Sequence, residues 1–197
     1  MTVGLAALAC LAVAGCGGEE EAEQRAMRID WDLSAEHTLD QVAWPREDLD
    51  ITTTSVEPLE SVRIALPGGQ VLRMDDHAKR VILYRPLEGA GPVPQPEGTV
   101  SNVQVYGEPM TADDAYRRAL AYVEQFDLPR PILENWRERR KRGVDPVTDR
   151  TGIGTADHRQ LGGGGGPIPF VEMLYSFNDE RPWAVMVQVS WPPPRAE

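Results

Sequence analysis

The clearest hydrophobic rhythm lies near the end of the chain, where Trp183, Val185, Val187, Val189 and Trp191 occupy every second position. A period of two places all five side chains on one face of a strand. Residues 170–177 alternate in the same way, and Asn178-Asp179 between the two segments supplies turn chemistry, so 170–191 predicts a β-hairpin. The same signal recurs earlier: Val62-Arg63-Ile64-Ala65-Leu66 alternates, Pro67-Gly68-Gly69 turns, and 70–74 returns as the partner strand. Strands over 80–85 and 100–106 follow Asp75-Asp76-His77 and a proline-rich stretch at 86–98, and these four strands are expected to form one antiparallel sheet. Residues 27–33 and 50–55 are shorter strand candidates, with Trp44-Pro45 between them.

Period two gives way to a helical period after residue 108. Thr111 is a good N-cap, Asp113 and Asp114 sit in the first turn where the helix dipole favours anions, and Pro129 closes the segment. Ala115, Ala119, Tyr122, Val123 and Phe126 form its apolar stripe, expected to lie on the sheet. A second helix over 132–142 turns Leu133 and Trp136 inward. Its basic run 137–142 gains from the negative C-terminal end of the helix, the reading preferred here over a binding site for an anionic partner. Strands, then helices, then strands, without repeated βαβ units, predict an α+β fold: a largely antiparallel sheet packed by one or two helices, with a C-terminal β-hairpin.

Composition changes this picture in two places. Of 197 residues, 41% are hydrophobic and 26% charged, which suits a folded chain, but 18 glycines and 17 prolines cluster in 86–98, 143–169 and 192–194. The segment 143–169 has no apolar period and contains the run Gly162–Gly166, so it is expected to be a mobile loop inside a single domain spanning 27–191, with 192–197 as a frayed tail.

The amino terminus carries an address. Residues 3–14 are uncharged and almost wholly Ala, Leu, Val and Gly, too short for the roughly 20 residues that cross a bilayer as a helix, and they read as a secretion signal. Val13-Ala14-Gly15-Cys16 ends this run and resembles the lipobox of bacterial lipoproteins. The resemblance implies that 1–15 is removed, that Cys16 carries a diacylglycerol thioether, and that the lipid holds the protein on the outer side of a cell membrane. Cys10, preceded by Ala7-Leu8-Ala9, fits the motif less well, and Met1-Thr2-Val3-Gly4 departs from the usual export signal in having no basic residue. The acidic stretch 16–26 then reads as a solvated tether. Farther on, Glu108 to Leu128, a helix entered from a strand through a Thr-x-Asp-Asp-Ala motif, is distantly similar to the helix of small exported domains of the PepSY type.

Candidate chemistry is sparse. With Cys10 removed and Cys16 lipidated no thiol is left for a disulfide, a metal or nucleophilic attack. The three histidines, His37, His77 and His158, show no zinc-binding spacing; Asp145, Asp149 and Asp157 lack that of a calcium loop; and the pentaglycine is followed by Pro167, not by a phosphate-cradling Gly-Lys-Ser. No cofactor is expected. Asp75-Asp76-His77 is the tightest polar cluster, read first as a turn and second as the centre of an envelope hydrolase or metalloenzyme. A net charge of −11 argues against nucleic acid as a partner. Five tryptophans suggest two further alternatives: Trp183 and Trp191 close the sheet core, or Trp191, beside Pro192-Pro193-Pro194, helps to form an aromatic surface for a partner. The resulting expectation is a non-enzymatic, lipid-anchored envelope protein that binds another protein as an inhibitor, immunity factor or assembly accessory.

Overall fold

The computed structural model describes residues 27–42, 53–56, 59–84, 98–144, 151–154, 166–176 and 180–191. In chain order the elements are β1 (Met27–Asp32), β2 (Thr53–Val56), β3 (Leu59–Ala65), β4 (Val71–Asp75), β5 (Ala78–Tyr84) and β6 (Asn102–Gly107), then α1 (Ala112–Gln125) and α2 (Arg130–Lys141), then β7 (Thr151–Gly154), β8 (Ile168–Tyr175) and β9 (Trp183–Ser190). The fold is α+β, with two α-helices and two sheets dominated by antiparallel pairing among the described residues.

The four middle strands do not share one sheet. β3 and β4 form the expected hairpin around Pro67–Gly69, but they belong to a three-stranded sheet of order β1-β3-β4, whereas β5 and β6 belong to a six-stranded sheet of order β2-β5-β6-β9-β8-β7. The separation occurs at Asp76, whose φ of 52° lies in the left-handed region and turns the chain out of one sheet into the other. β1 runs parallel to β3, the one parallel pairing among the described strands.

α1 joins the two sheets. Thr111 caps it by accepting the Asp114 N–H at 3.2 Å, and the predicted stripe is buried throughout. One core unites that stripe with Trp31, Val62, Ile64, Leu72 and Met74 of the small sheet and with Val105, Val185, Val187 and Val171 of the large one. Two side chains of α1 also close the edge of β4: Tyr122 donates its hydroxyl to the Arg73 carbonyl at 3.0 Å, and Gln125 donates to the Val71 carbonyl. An uncovered strand edge is a template for unwanted pairing, and these bonds blunt it.

α2 begins two residues earlier than the sequence suggests, with Pro129 as its N-cap and Pro131 in its first turn, where a missing N–H removes no intrahelical bond. Leu133 and Trp136 are buried as expected, and Arg139, Arg140 and Lys141 occupy the last turn. The basic run does more than offset the dipole. Arg137 lies over the Tyr116 ring at 4.5 Å, Arg140 over the Trp183 ring at 5.1 Å, and Arg139 donates to the Thr151 hydroxyl.

The segment 143–169 is not one uniform loop. Within it β7 pairs with β8 as an edge strand, and Ile153 is fully buried. Four residues are too few to show a period, so glycine content dominated the sequence signal; of the two glycines of β7, Gly152 makes room for the Phe170 ring, which a Cβ there would overlap. β8 likewise starts at Ile168, inside the expected loop. The pentaglycine itself falls largely outside the described residues, as do Trp44-Pro45, Asn178-Asp179 and the 192–197 tail.

Candidate functional site

The Asp75-Asp76-His77 cluster sits at the corner between the two sheets. The His77 Nδ1 atom faces two acceptors, the Asp75 carbonyl and an Asp76 carboxylate oxygen at 2.9 Å, so this nitrogen carries the hydrogen. Its Nε2 faces inward to the Tyr122 hydroxyl at 3.5 Å, and that hydroxyl already donates to Arg73. Arg118 of α1 reaches Asp76 at 3.3 Å. The His77 hydrogen bond, helped by the Arg118 charge, holds the Asp76 carboxyl below the usual carboxylate range, while burial pushes the Tyr122 hydroxyl up.

This geometry is that of a tied corner. A general base must present a nitrogen to a substrate; the free nitrogen of His77 instead meets a buried side chain. The imidazole also packs on Gly107, where a Cβ would lie 3.4 Å from the ring and 3.1 Å from the Val185 carbonyl. His37 does not join it. That ring is stacked on Trp191 (5.2 Å between centroids, 9° between planes), and Trp191 hydrogen-bonds to Ser101 just before β6, while His77 lies beside Gly107 at the end of β6. Burial lowers the His37 pKa. His158 and Asp145, Asp149 and Asp157 lie outside the described residues, and among the described residues no three metal-ligating side chains converge.

Trp191 forms no exposed aromatic surface. It is buried, as are Trp183, Trp136 and Trp31, with Trp136 meeting Trp183 edge-on at 5.0 Å. The core alternative for Trp183 and Trp191 is the one observed, because β9 is the fourth of six strands and has neighbours on both sides. Trp44 lies outside the described residues, and among those described the one exposed large hydrophobic side chain is Val144.

The feature that sequence reasoning missed is the other face of the six-stranded sheet. Ile82, Ile168, Ala184 and Met186 are buried yet belong to no part of the main core. The strand register puts all four on the face turned away from it, together with a ladder of polar side chains. Tyr84 and Tyr106 both donate to the Gln104 Oε1 atom, at 3.1 and 2.7 Å. Gln104 donates to Gln188 at 2.9 Å, Gln188 to the Ser190 hydroxyl at 2.7 Å, and Asn102 to that same hydroxyl at 3.2 Å. Arg80 lies over the Tyr106 ring at 4.6 Å, and the Phe170 ring covers Gly152.

Of the fourteen register-paired outward positions on β5, β6, β8 and β9, only Arg80 and Glu172 carry charge, with opposite signs, and Lys79, exposed at the β5 register shift beside Arg80, adds a second cation at that end. A half-buried, nearly uncharged face rich in tyrosine and amides, on a chain of net charge −11, has the composition of the centre of a protein interface. Single positions could not reveal it, because Gln104 and Gln188 are 84 residues apart and become neighbours only through the β6-β9 register.

No family model, no curated protein and no solved structure matches the chain. The site therefore rests on its own geometry.

Proposed function

We propose that this chain is a lipid-anchored cell-envelope protein that acts without catalysis, by binding another envelope or secreted protein through the outer face of its six-stranded sheet. The observation that carries this reading is the hydrogen-bonded ladder Tyr84, Tyr106, Gln104, Gln188, Ser190 and Asn102. Each of these side chains is held in place before any partner arrives, so less rotamer entropy is lost on binding, and tyrosine offers large contact area with few torsions. Such a surface suits an inhibitor, an immunity factor or an assembly accessory. The alternative, an envelope hydrolase or metalloenzyme built on Asp75, Asp76 and His77, draws no support from a corner whose imidazole faces inward.

The address rests on Cys16 and its lipobox, which lie outside the described residues; among the described residues no helix is long and apolar enough to cross a membrane. Cys16→Ser should move the protein from the membrane to the soluble fraction with its folded domain unchanged, as read by detergent-phase partitioning. Persistence of the variant in the detergent phase would remove the lipid anchor from the reading. For the face, a photo-crosslinking side chain at Gln188 should capture a protein in the host envelope, and Gln104→Arg, which buries a charge in the contact, should abolish that capture. Undiminished capture by the Gln104→Arg protein would move the recognition surface elsewhere.

A further inference from the structure

We infer that the basic end of α2, formed by Arg137, Arg139, Arg140, Lys141 and Arg142, rests on the anionic lipid headgroups of the membrane that holds this chain. The inference rests on the lipid-anchored reading and goes beyond it by naming the surface that faces the bilayer. The strand topology supplies the first reason. β1 and β3 run parallel, so they begin together, and β4 ends beside them, where Ser61 pairs with Asp75. The chain then turns at Asp76-His77, and Gly107 at the end of β6 meets His77. Met110 pairs with Trp183 at the start of β9, and Arg140 lies over the Trp183 ring. Arg139 reaches Thr151, the first residue of β7. Met27, through which the tether enters the fold, and the basic run of α2 therefore lie at the same end of the strands.

The distribution of charge is the second reason. The chain as a whole carries −11, yet residues 137–142 set five cations against the single Glu138. The Lys141 hydrogen bond, helped by the charges of Arg137 and Arg142, holds the Glu138 carboxyl below the usual carboxylate range. Lys79, exposed at the start of β5, belongs to the same end. Most acids there meet cations of their own: Glu60 meets Arg28, Asp75 meets Arg73, Asp76 meets Arg118 and Asp114 meets Arg117. Glu108 and Asp113 offset only part of the α2 run, and Glu180 is followed by Arg181. The opposite end has the other sign, with exposed Asp32, Glu36, Asp40, Glu124 and Asp127 against Arg130. Beside an anionic surface such a chain turns its basic end down and its acidic end outward, because the charge distribution orients it even though the net charge is repelled.

The tether permits this contact. Cys16 and Met27 are eleven positions apart, a reach of at most about 36–40 Å. The acidic end lies about 26 Å farther off, the rise of an eight-residue strand such as β9, so the basic end is the one presented to the bilayer. Arg137 and Arg140 are held over the Tyr116 and Trp183 rings and Arg139 on the Thr151 hydroxyl, so these side chains lose little freedom on contact. Arg137, Lys141 and Arg142 are exposed, and each basic side chain near an anionic surface strengthens binding roughly five-fold.

The test uses the full chain carrying Cys10→Ser, joined through its Cys16 thiol to a maleimide-bearing lipid. It is displayed on vesicles of phosphatidylcholine alone or of phosphatidylcholine with phosphatidylglycerol. Lys79 and Lys141 are the two lysines of the chain, so acetylation followed by mass spectrometry reads each separately. Lys141 should be modified at least about five-fold more slowly on the anionic vesicles than on the neutral ones, and the difference should vanish at about 1 M salt, where the screening length is about 3 Å. Arg137→Gln with Arg142→Gln, which leaves Arg139 and Arg140 on their partners, should weaken docking roughly 25-fold and expose Lys141 again. Far-ultraviolet circular dichroism checks that this double variant is folded, and the salt dependence of the parent is read without any variant. Equal rates on the two lipids, protection that survives high salt, or protection unchanged in the folded double variant would overturn the proposal. Protection of Lys79 without Lys141 would overturn it as well, by placing another face on the bilayer. Because the maleimide supplies the tether, failure here leaves the Cys16 anchor standing, and that anchor fails separately if Cys16→Ser stays in the detergent phase.

Discussion

Ile153→Ala separates two accounts of the glycine-rich segment between α2 and β8. If that segment were solvated loop throughout, trimming one side chain would change stability by no more than about 0.5 kcal/mol. In the structure Ile153 is fully buried on β7, paired with Val171 of β8 and part of the main core. The substitution removes three carbons, worth about 0.8 kcal/mol each on transfer from water, and the cavity left behind raises the total to about 2–4 kcal/mol. β7 is an edge strand and relaxes more easily than an interior one, which favours the lower half of that range. A domain of this size loses about 2–4 °C of melting temperature per kcal/mol, so the expected drop is about 5–10 °C. Urea unfolding followed by tryptophan fluorescence measures the change directly, with Val144→Ala, at an exposed position nearby, as the control. An Ile153→Ala midpoint equal to that of the control, at unchanged slope, would refute the burial of β7.

Three further outcomes follow from the same contacts. Val187→Asp places an unpaired carboxylate in the fully buried centre of β9 and should cost several kcal/mol, a large part of a typical 5–15; native-like thermal unfolding of that variant would show the strand facing the other way. Tyr122→Phe deprives the Arg73 carbonyl and His77 of a buried partner and should cost about 1–2 kcal/mol, whereas Gln125→Ala, at an exposed position where water replaces the lost bond, should cost under about 0.5; equal losses would refute the role of burial in closing the β4 edge. The Asp76 carboxyl has a lowered pKa, so its contribution is present above the unfolded value of about 3.9 and is lost as pH falls through the folded value; Asp76→Asn, which tolerates the same left-handed backbone, should flatten the fall in melting temperature below about pH 4, and parallel curves for the two proteins would show that the corner contacts carry no charge-dependent stability.

Much of the fold was legible because it is local. Thr111 with Asp114 specifies the start of α1 within four residues, and the alternation from Trp183 to Trp191 specifies a strand and its inward face without reference to the rest of the chain. What could not be read were relations between distant segments. β3, β4 and β5 follow one another with hairpin-like spacing, yet they separate into two sheets at Asp76, whose backbone is left-handed. The parallel pairing of β1 with β3 and the short β7 were hidden for the same reason: their evidence lies in partners 32 and about 18 residues away, not in their own pattern.

The outer face of the six-stranded sheet illustrates the limit most sharply. Asn-Val-Gln-Val-Tyr in β6 and Met-Val-Gln-Val-Ser in β9 both read as ordinary strands with valines inward and polar residues in water. An isolated surface glutamine of that kind samples many rotamers, and ordering it for a partner costs on the order of 1–2 kcal/mol. Once the register brings Gln104 beside Gln188 and beneath two tyrosine hydroxyls, most of that ordering is already complete in the free protein. Held as a ladder, they present a fixed pattern of aromatic faces and amides, a property of the pairing between strands that was invisible until β6 and β9 were placed side by side.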